Sequence, residues 1–150
     1  MQALATAGAG FLLAVLWFDL MFDVQVAGRG GGALPEAVVG SIAGYYRRVT
    51  TDARPMNRLV ALAMIVTVFA VGAEIVRSDG EPVARWLSLA LAVVPIGLAA
   101  SRTVPNAVRL GSGQDPPGVQ ASMARAIYRQ HVFCACSIGA LLAVQLLWMA

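Results

Sequence analysis

The sequence predicts an all-α fold, an integral membrane four-helix bundle, on three observations. First, 59% of its 150 residues are hydrophobic and only 13% are charged, with a mean hydropathy of +0.73, far more apolar than a soluble domain. Second, the chain contains four apolar runs long enough to cross a hydrocarbon core of about 30 Å, separated by joints rich in glycine, proline and arginine. Third, the 11 basic residues are all arginine, and most belong to alternate joints. A single membrane domain over residues 1–150 is expected. A formal charge of +3, scattered among apolar runs, is too sparse for a nucleic-acid partner and instead suits contact with membrane lipid.

The first span is expected over Ala5–Ala27 and is read as a retained span. It has no basic N-terminal region, its apolar run exceeds that of a signal peptide, and it carries two acids, Asp19 and Asp23. Arg29-Gly-Gly-Gly32 ends it. Pro35 can open a short amphipathic helix reaching about Thr51, with Val38, Ile42, Tyr45 and Val49 at helical spacing and Glu36, Arg47 and Arg48 as polar flanks. This helix either lies on the cytoplasmic membrane surface or leads directly into the next span.

Arg54-Pro-Met-Asn-Arg58 introduces the second span, Leu59–Val76, near whose end Glu74 and Arg77 stand at a spacing that permits an ion pair. Ser78-Asp-Gly-Glu-Pro82 reads as a turn. The third span, Val83–Val104, contains Pro95 and Gly97, which predict a kink, and is followed by a polar stripe of Arg102, Asn106 and Arg109. Gly111-Ser-Gly-Gln-Asp-Pro-Pro-Gly118 is a loop, and Val119, Met123, Ala126 and Ile127 form an amphipathic lead-in to the fourth span, Gln130–Met149. Cys134 and Cys136 point about 200° apart on that helix, so they read as packing residues.

Arginines 29, 47, 48, 54, 58, 102, 109, 125 and 129 fall on one side of this topology, and Arg77 and Arg85 on the other. By the positive-inside rule the rich side is cytoplasmic, both termini lie outside the cytoplasm, and a bacterial-type inner membrane is the expected location. Asp19 and Asp23, four residues apart, face nearly the same way on a helix, and a lipid-facing acid near a span's centre costs roughly 2.5–3.5 kcal/mol. They should therefore face protein, water or a ligand. At their depth the topology also brings Asn57 and Arg58, Arg102 and Asn106, and Tyr128 with the lone histidine, His131.

Three readings of this convergence stay open. The polar groups hold the helices in register, with Asp19 and Asp23 paired to Arg58, Arg102 or Arg129. Alternatively they form a pocket for a small, partly apolar molecule. A metal site is the third reading; its donor spacing is poor, the neighbouring arginines oppose a cation, and no metal ligand set is assigned. In the pocket reading Asp19, His131, Arg102 and Asn106 are the catalytic candidates, and Asp23, Trp17, Asn57, Arg58 and Tyr128 the ligand contacts.

The pattern resembles the anthrone oxygenase-like family (DUF1772) of small four-span membrane proteins. The likeness runs from the first span through Tyr45-Tyr-Arg-Arg48 and Arg58 to Val104-Pro-Asn-Ala-Val-Arg-Leu110 and Tyr128-Arg-Gln-His131. It implies oxygen-dependent conversion of an anthrone to a quinone without a cofactor. His131 or Asp19 would act as the base, and Asn106 or Arg102 would stabilise the resulting anion. The competing expectation is a non-catalytic subunit that self-associates or joins a larger membrane assembly through small residues such as Gly8, Gly10, Ala61, Ala63, Gly72 and Ala73.

Overall fold

The computed structural model describes residues 1–77 and 81–148; the expected turn at 78–80 and the last fourth-span residue, Met149, lie outside them. Every regular element among the described residues is helical: α1 Gln2–Asp23, α2 Glu36–Arg47, α3 Arg54–Arg77, α4 Pro82–Leu98, α5 Val104–Ser112 and α6 Pro117–Leu147. Four helical stretches are long and apolar enough to cross a membrane: Gln2–Val26, Pro55–Arg77, Pro82–Ser112 and Pro117–Leu147. Large apolar side chains such as Trp17, Phe18, Ile65, Phe69 and Trp86 point outward from them, as a hydrocarbon solvent permits.

The four long helices form a closed ring in which α1 packs on α3 and α6, and α4 completes it by packing on the same two. Small residues make the approach close. Ala5, Ala9, Ala70 and Ala92 are wholly buried with Leu12, Val71, Ile138 and Leu141. At Gly8 a Cβ would meet the Thr67 side chain, so the missing side chain lets Thr67 of α3 pack directly on the backbone of α1.

A second core lies at the arginine-rich end. The 31 residues of α6 span about 46 Å at 1.5 Å per residue, well beyond a bilayer's hydrocarbon thickness. The overhanging first turns bury Met123, Ala124 and Ile127 against Val39, Ile42 and Tyr46 of α2 and Ala107 and Leu110 of α5. The amphipathic helix, expected either to lie on the membrane surface or to lead directly into the next span, has its apolar side covered by protein, because α5 and α6 supply a matching apolar surface. Gly111 fixes the α2–α5 approach: a Cβ there would stand 2.7 Å from Arg47 N and 2.9 Å from Arg47 Cα.

Two π-helical turns, Arg48–Asp52 and Ala99–Thr103, flank this second core. Each closes with an amide reaching back five residues, Ala53 N–H to Arg48 O and Val104 N–H to Ala99 O. Each is followed within three residues by a proline, Pro55 or Pro105, which has no N–H to continue the ladder. Pro95, where a kink is expected, lies inside α4, and the irregular turn comes afterwards, where Pro105 removes a donor.

Because backbone atoms cannot move aside for a methyl group as a side chain can, Gly111→Ala should destabilise the protein by about 1–3 kcal/mol. Gly139→Ala, where a Cβ meets nothing within 4 Å, should be neutral or slightly stabilising. Thermal unfolding of the two variants in one detergent compares them directly.

Candidate functional site

The site is assembled from three helices that approach one another at the arginine-rich end. Asp19 and Asp23 occupy successive turns on the inner side of α1, Tyr45 and Tyr46 lie on α2, and His131 enters the ring on α6. Asp23 is wholly buried, and His131 and Tyr46 nearly so. A buried carboxylate needs donors, and Asp23 has two: Tyr46 Oη at 2.7 Å from Oδ1 and His131 Nδ1 at 2.7 Å from Oδ2. Tyr45 Oη donates to Asp19 Oδ1 at 2.7 Å.

This bonding fixes the imidazole. An ionised Asp23 only accepts, so Nδ1 is the donor in this contact, and in the neutral form of the ring the lone pair is then on Nε2. Nε2 lies 3.8 Å from Asp19 Oδ2. That separation exceeds a hydrogen bond but is short enough for one donor hydroxyl to approach both acceptors. Burial holds the Tyr45 phenol well above its usual range, with Asp19 adding to the shift; burial also raises Tyr46, followed by the charges of Asp23 and Asp19. Both phenols therefore remain neutral donors at ordinary pH. Phe22 stacks on Tyr45 at a centroid distance of 4.1 Å, restricting the ring that orients Asp19.

Above these groups lies a cavity of about 430 Å³, within the usual range for small-molecule sites. Its polar lining is concentrated in Asp19, His131, Tyr45, Tyr46, Thr50, Asn57 and Thr103, while the remaining wall is formed largely by apolar groups such as Phe11, Val15, Phe18, Val60, Met64 and Ile96. Both π-helical turns contribute to the wall, through Val49 and Thr50 and through Ala99 and Thr103. Thr103 also donates to Gln130 Oε1 at 2.9 Å, tying one turn to the residue before His131.

The structure brings Asp19, Asp23 and His131 together, with Asn57 at the cavity and donating to Thr50 O at 3.1 Å. It leaves Trp17, Arg58, Arg102, Asn106 and Tyr128 outside the lining, and Asp23 too, which is enclosed by Tyr46 and His131. Helical phase explains these departures. Trp17 is two residues from Asp19, hence about 200° round the helix, and is 68% exposed. Arg58, Arg102 and Asn106 each neighbour a lining residue, namely Asn57, Thr103 and Ala107, but point about 100° away. Tyr128 packs instead against the second core. The acids are consequently held by phenols and imidazole rather than by Arg58, Arg102 or Arg129. Among the described residues, no group of three or more His, Cys, Asp or Glu side chains is placed to hold a metal ion.

Tyr45 and Tyr46 carry no chemical role on sequence grounds, Tyr45 being part of an apolar helix face. The signal for Tyr45 is its hydroxyl, which requires a partner when such a face is covered.

No protein-family model, no curated protein and no solved structure matches the chain.

Removing the Tyr46 hydroxyl deprives buried Asp23 Oδ1 of its donor, so Tyr46→Phe should cost about 1–3 kcal/mol. Tyr45→Phe should cost less because Asp19 is not fully enclosed. A double-mutant cycle of Tyr46→Phe with Asp23→Asn, read by unfolding in detergent, should give a coupling of at least about 0.5 kcal/mol; additive losses would contradict the assigned contact.

Proposed function

We propose that the protein binds a small, largely apolar molecule bearing an acidic hydroxyl, of the anthrone type, and catalyses its oxidation by molecular oxygen. The observation carrying this reading is the convergence of two acceptors, His131 Nε2 and Asp19 Oδ2, at the polar part of an otherwise apolar cavity. Such an arrangement favours a ligand that presents a hydrogen-bond donor at one end and rings at the other. It suits an anionic ligand poorly, because Arg58 and Arg102 lie outside the lining.

In this reading the substrate's enol or phenol hydroxyl binds between Nε2 and Asp19, and its proton passes to Nε2. The imidazolium formed is stabilised by Asp23 on Nδ1 and by Asp19 beside Nε2, the logic by which a carboxylate supports a histidine base. The electron-rich anion is then oxidised by oxygen at its ring carbon. Overall a CH₂ group becomes a carbonyl; one oxygen atom stays on carbon and the other leaves as water with the two hydrogens. Oxygen is the oxidant, so this balance requires no cofactor. Tyr45 and Tyr46 act as positioning residues because each acts through a carboxylate.

The asymmetric distribution of arginine supports an orientation with the site at the cytoplasmic ends of the spans and both termini outside, in a cell membrane. The apolar outward faces support lateral access to the cavity from lipid.

Oxygen uptake by the purified protein supplied with an anthrone should fall by about 100-fold or more in the Asp19→Asn, His131→Ala double variant. Trp17→Phe and Arg102→Gln, which alter residues outside the cavity lining, should retain the wild-type rate within about twofold. Wild-type uptake no faster than that of the double variant would sink the oxygenase reading. Retention of the same anthrone in native mass spectrometry would then separate a binding protein from one that does not recognise this class.

A further inference from the structure

The opposite end of the ring holds a second buried polar group, independent of the cavity. Glu74 on α3, Ser88 on α4 and Gln145 on α6 are all fully buried. Gln145 Nε2 donates to Glu74 Oε2 at 3.0 Å and to Ser88 Oγ at 3.2 Å, using both of its hydrogens. Gln2 on α1 donates to the Gln145 backbone carbonyl at 2.9 Å, so all four spans meet here. The Glu74 carboxyl does not form the expected pair with Arg77: Oε1 has no partner, and Oε2 bonds Gln145.

Two buried acceptors, Glu74 Oε1 and Gln145 Oε1, are without any donor. Inside the bundle a carboxylate bonded by a single amide is poorly compensated. Rotating the Gln145 amide by half a turn would set its oxygen against Glu74 Oε2, so that orientation requires a donor as well. A proton on the carboxyl meets the deficit because it removes the charge and converts one acceptor into a donor. A hard metal cation needs about six oxygen ligands, more than Glu74, Gln145 and Ser88 offer with their free side-chain oxygens.

We propose that Glu74 is an exchangeable proton-binding site within the membrane, its carboxylic acid paired with the Gln145 amide across α3 and α6. Among the described residues the charged groups at this end are Arg77 on the same helix, Glu81 at the start of α4, Arg85 on α4, and the Met1 amino group before α1. Arg85 stands one turn before Ser88 and has Nε and Nη1 buried without partners, which makes it the candidate counter-ion when the proton leaves. Loss of that proton would replace the acid–amide pair with a carboxylate drawn toward Arg85, weakening the α3–α6 contact.

The test uses dicyclohexylcarbodiimide, an apolar reagent that modifies protonated carboxyls, on the whole protein in lipid vesicles. Peptide mass spectrometry at a series of pH values should find an adduct on Glu74 whose yield falls about tenfold per pH unit once the proton dissociates. Replacing potassium by sodium at fixed pH should leave the yield unchanged. Glu74→Gln, a neutral isostere, should remove this adduct while preserving the fold and the oxygen uptake or ligand retention of the other site. An adduct absent at every pH, a yield independent of pH, or protection by sodium would overturn the proposal, and the wild-type labelling decides it even where a variant fails to fold.

Discussion

The arrangement depends above all on keeping the Asp23 carboxylate away from water. A fully buried acid is tolerable only when its oxygens are satisfied, and Tyr46 and His131 satisfy one each. That requirement joins three helices, because the acid lies on α1, the phenol on α2 and the imidazole on α6. It also orients the histidine: with Nδ1 turned to Asp23, Nε2 faces Asp19 and the cavity. Burial of one charge therefore both constrains the helices and prepares a base.

The second core makes this possible. The overhang of α6, the short helix α5 and the amphipathic α2 form an apolar platform beside the ring, and Tyr46 belongs to both the platform and the polar site. Close backbone contact at Gly111 sets α2 at the depth where its two tyrosines reach the two acids. The π-helical turns before Pro55 and Pro105 bend the same region and lend residues to the cavity wall. Such turns recur at functional sites because a slack turn places side chains where a regular helix would not.

The two ends of the bundle show different answers to one constraint. At the arginine-rich end a carboxylate is compensated by phenol and imidazole donors beside an open cavity. At the other, a glutamate meets an amide and leaves two acceptors unmatched. Each acid is bonded by residues far from it in sequence, Asp23 by Tyr46 and His131 and Glu74 by Gln145.

Length, hydropathy and arginine placement determined much by themselves: four helices long and apolar enough to span, their alternating directions, and the end at which Asp19, Asp23 and His131 meet. These properties are legible because each depends on one segment's composition or on chain order. Helical phase identified which polar groups share a depth but could not say which share an interior. Thus Arg102 and Asn106 stood at the right level while Thr103 and Ala107 took the inward positions. Only the tertiary structure decided that the tyrosines of α2 hold the acids, that α2 is covered by α5 and α6, and that Glu74 turns to Gln145. Those outcomes depend on rotation and distance between segments far apart in sequence, where a single residue's shift of about 100° exchanges a buried side chain for an exposed one.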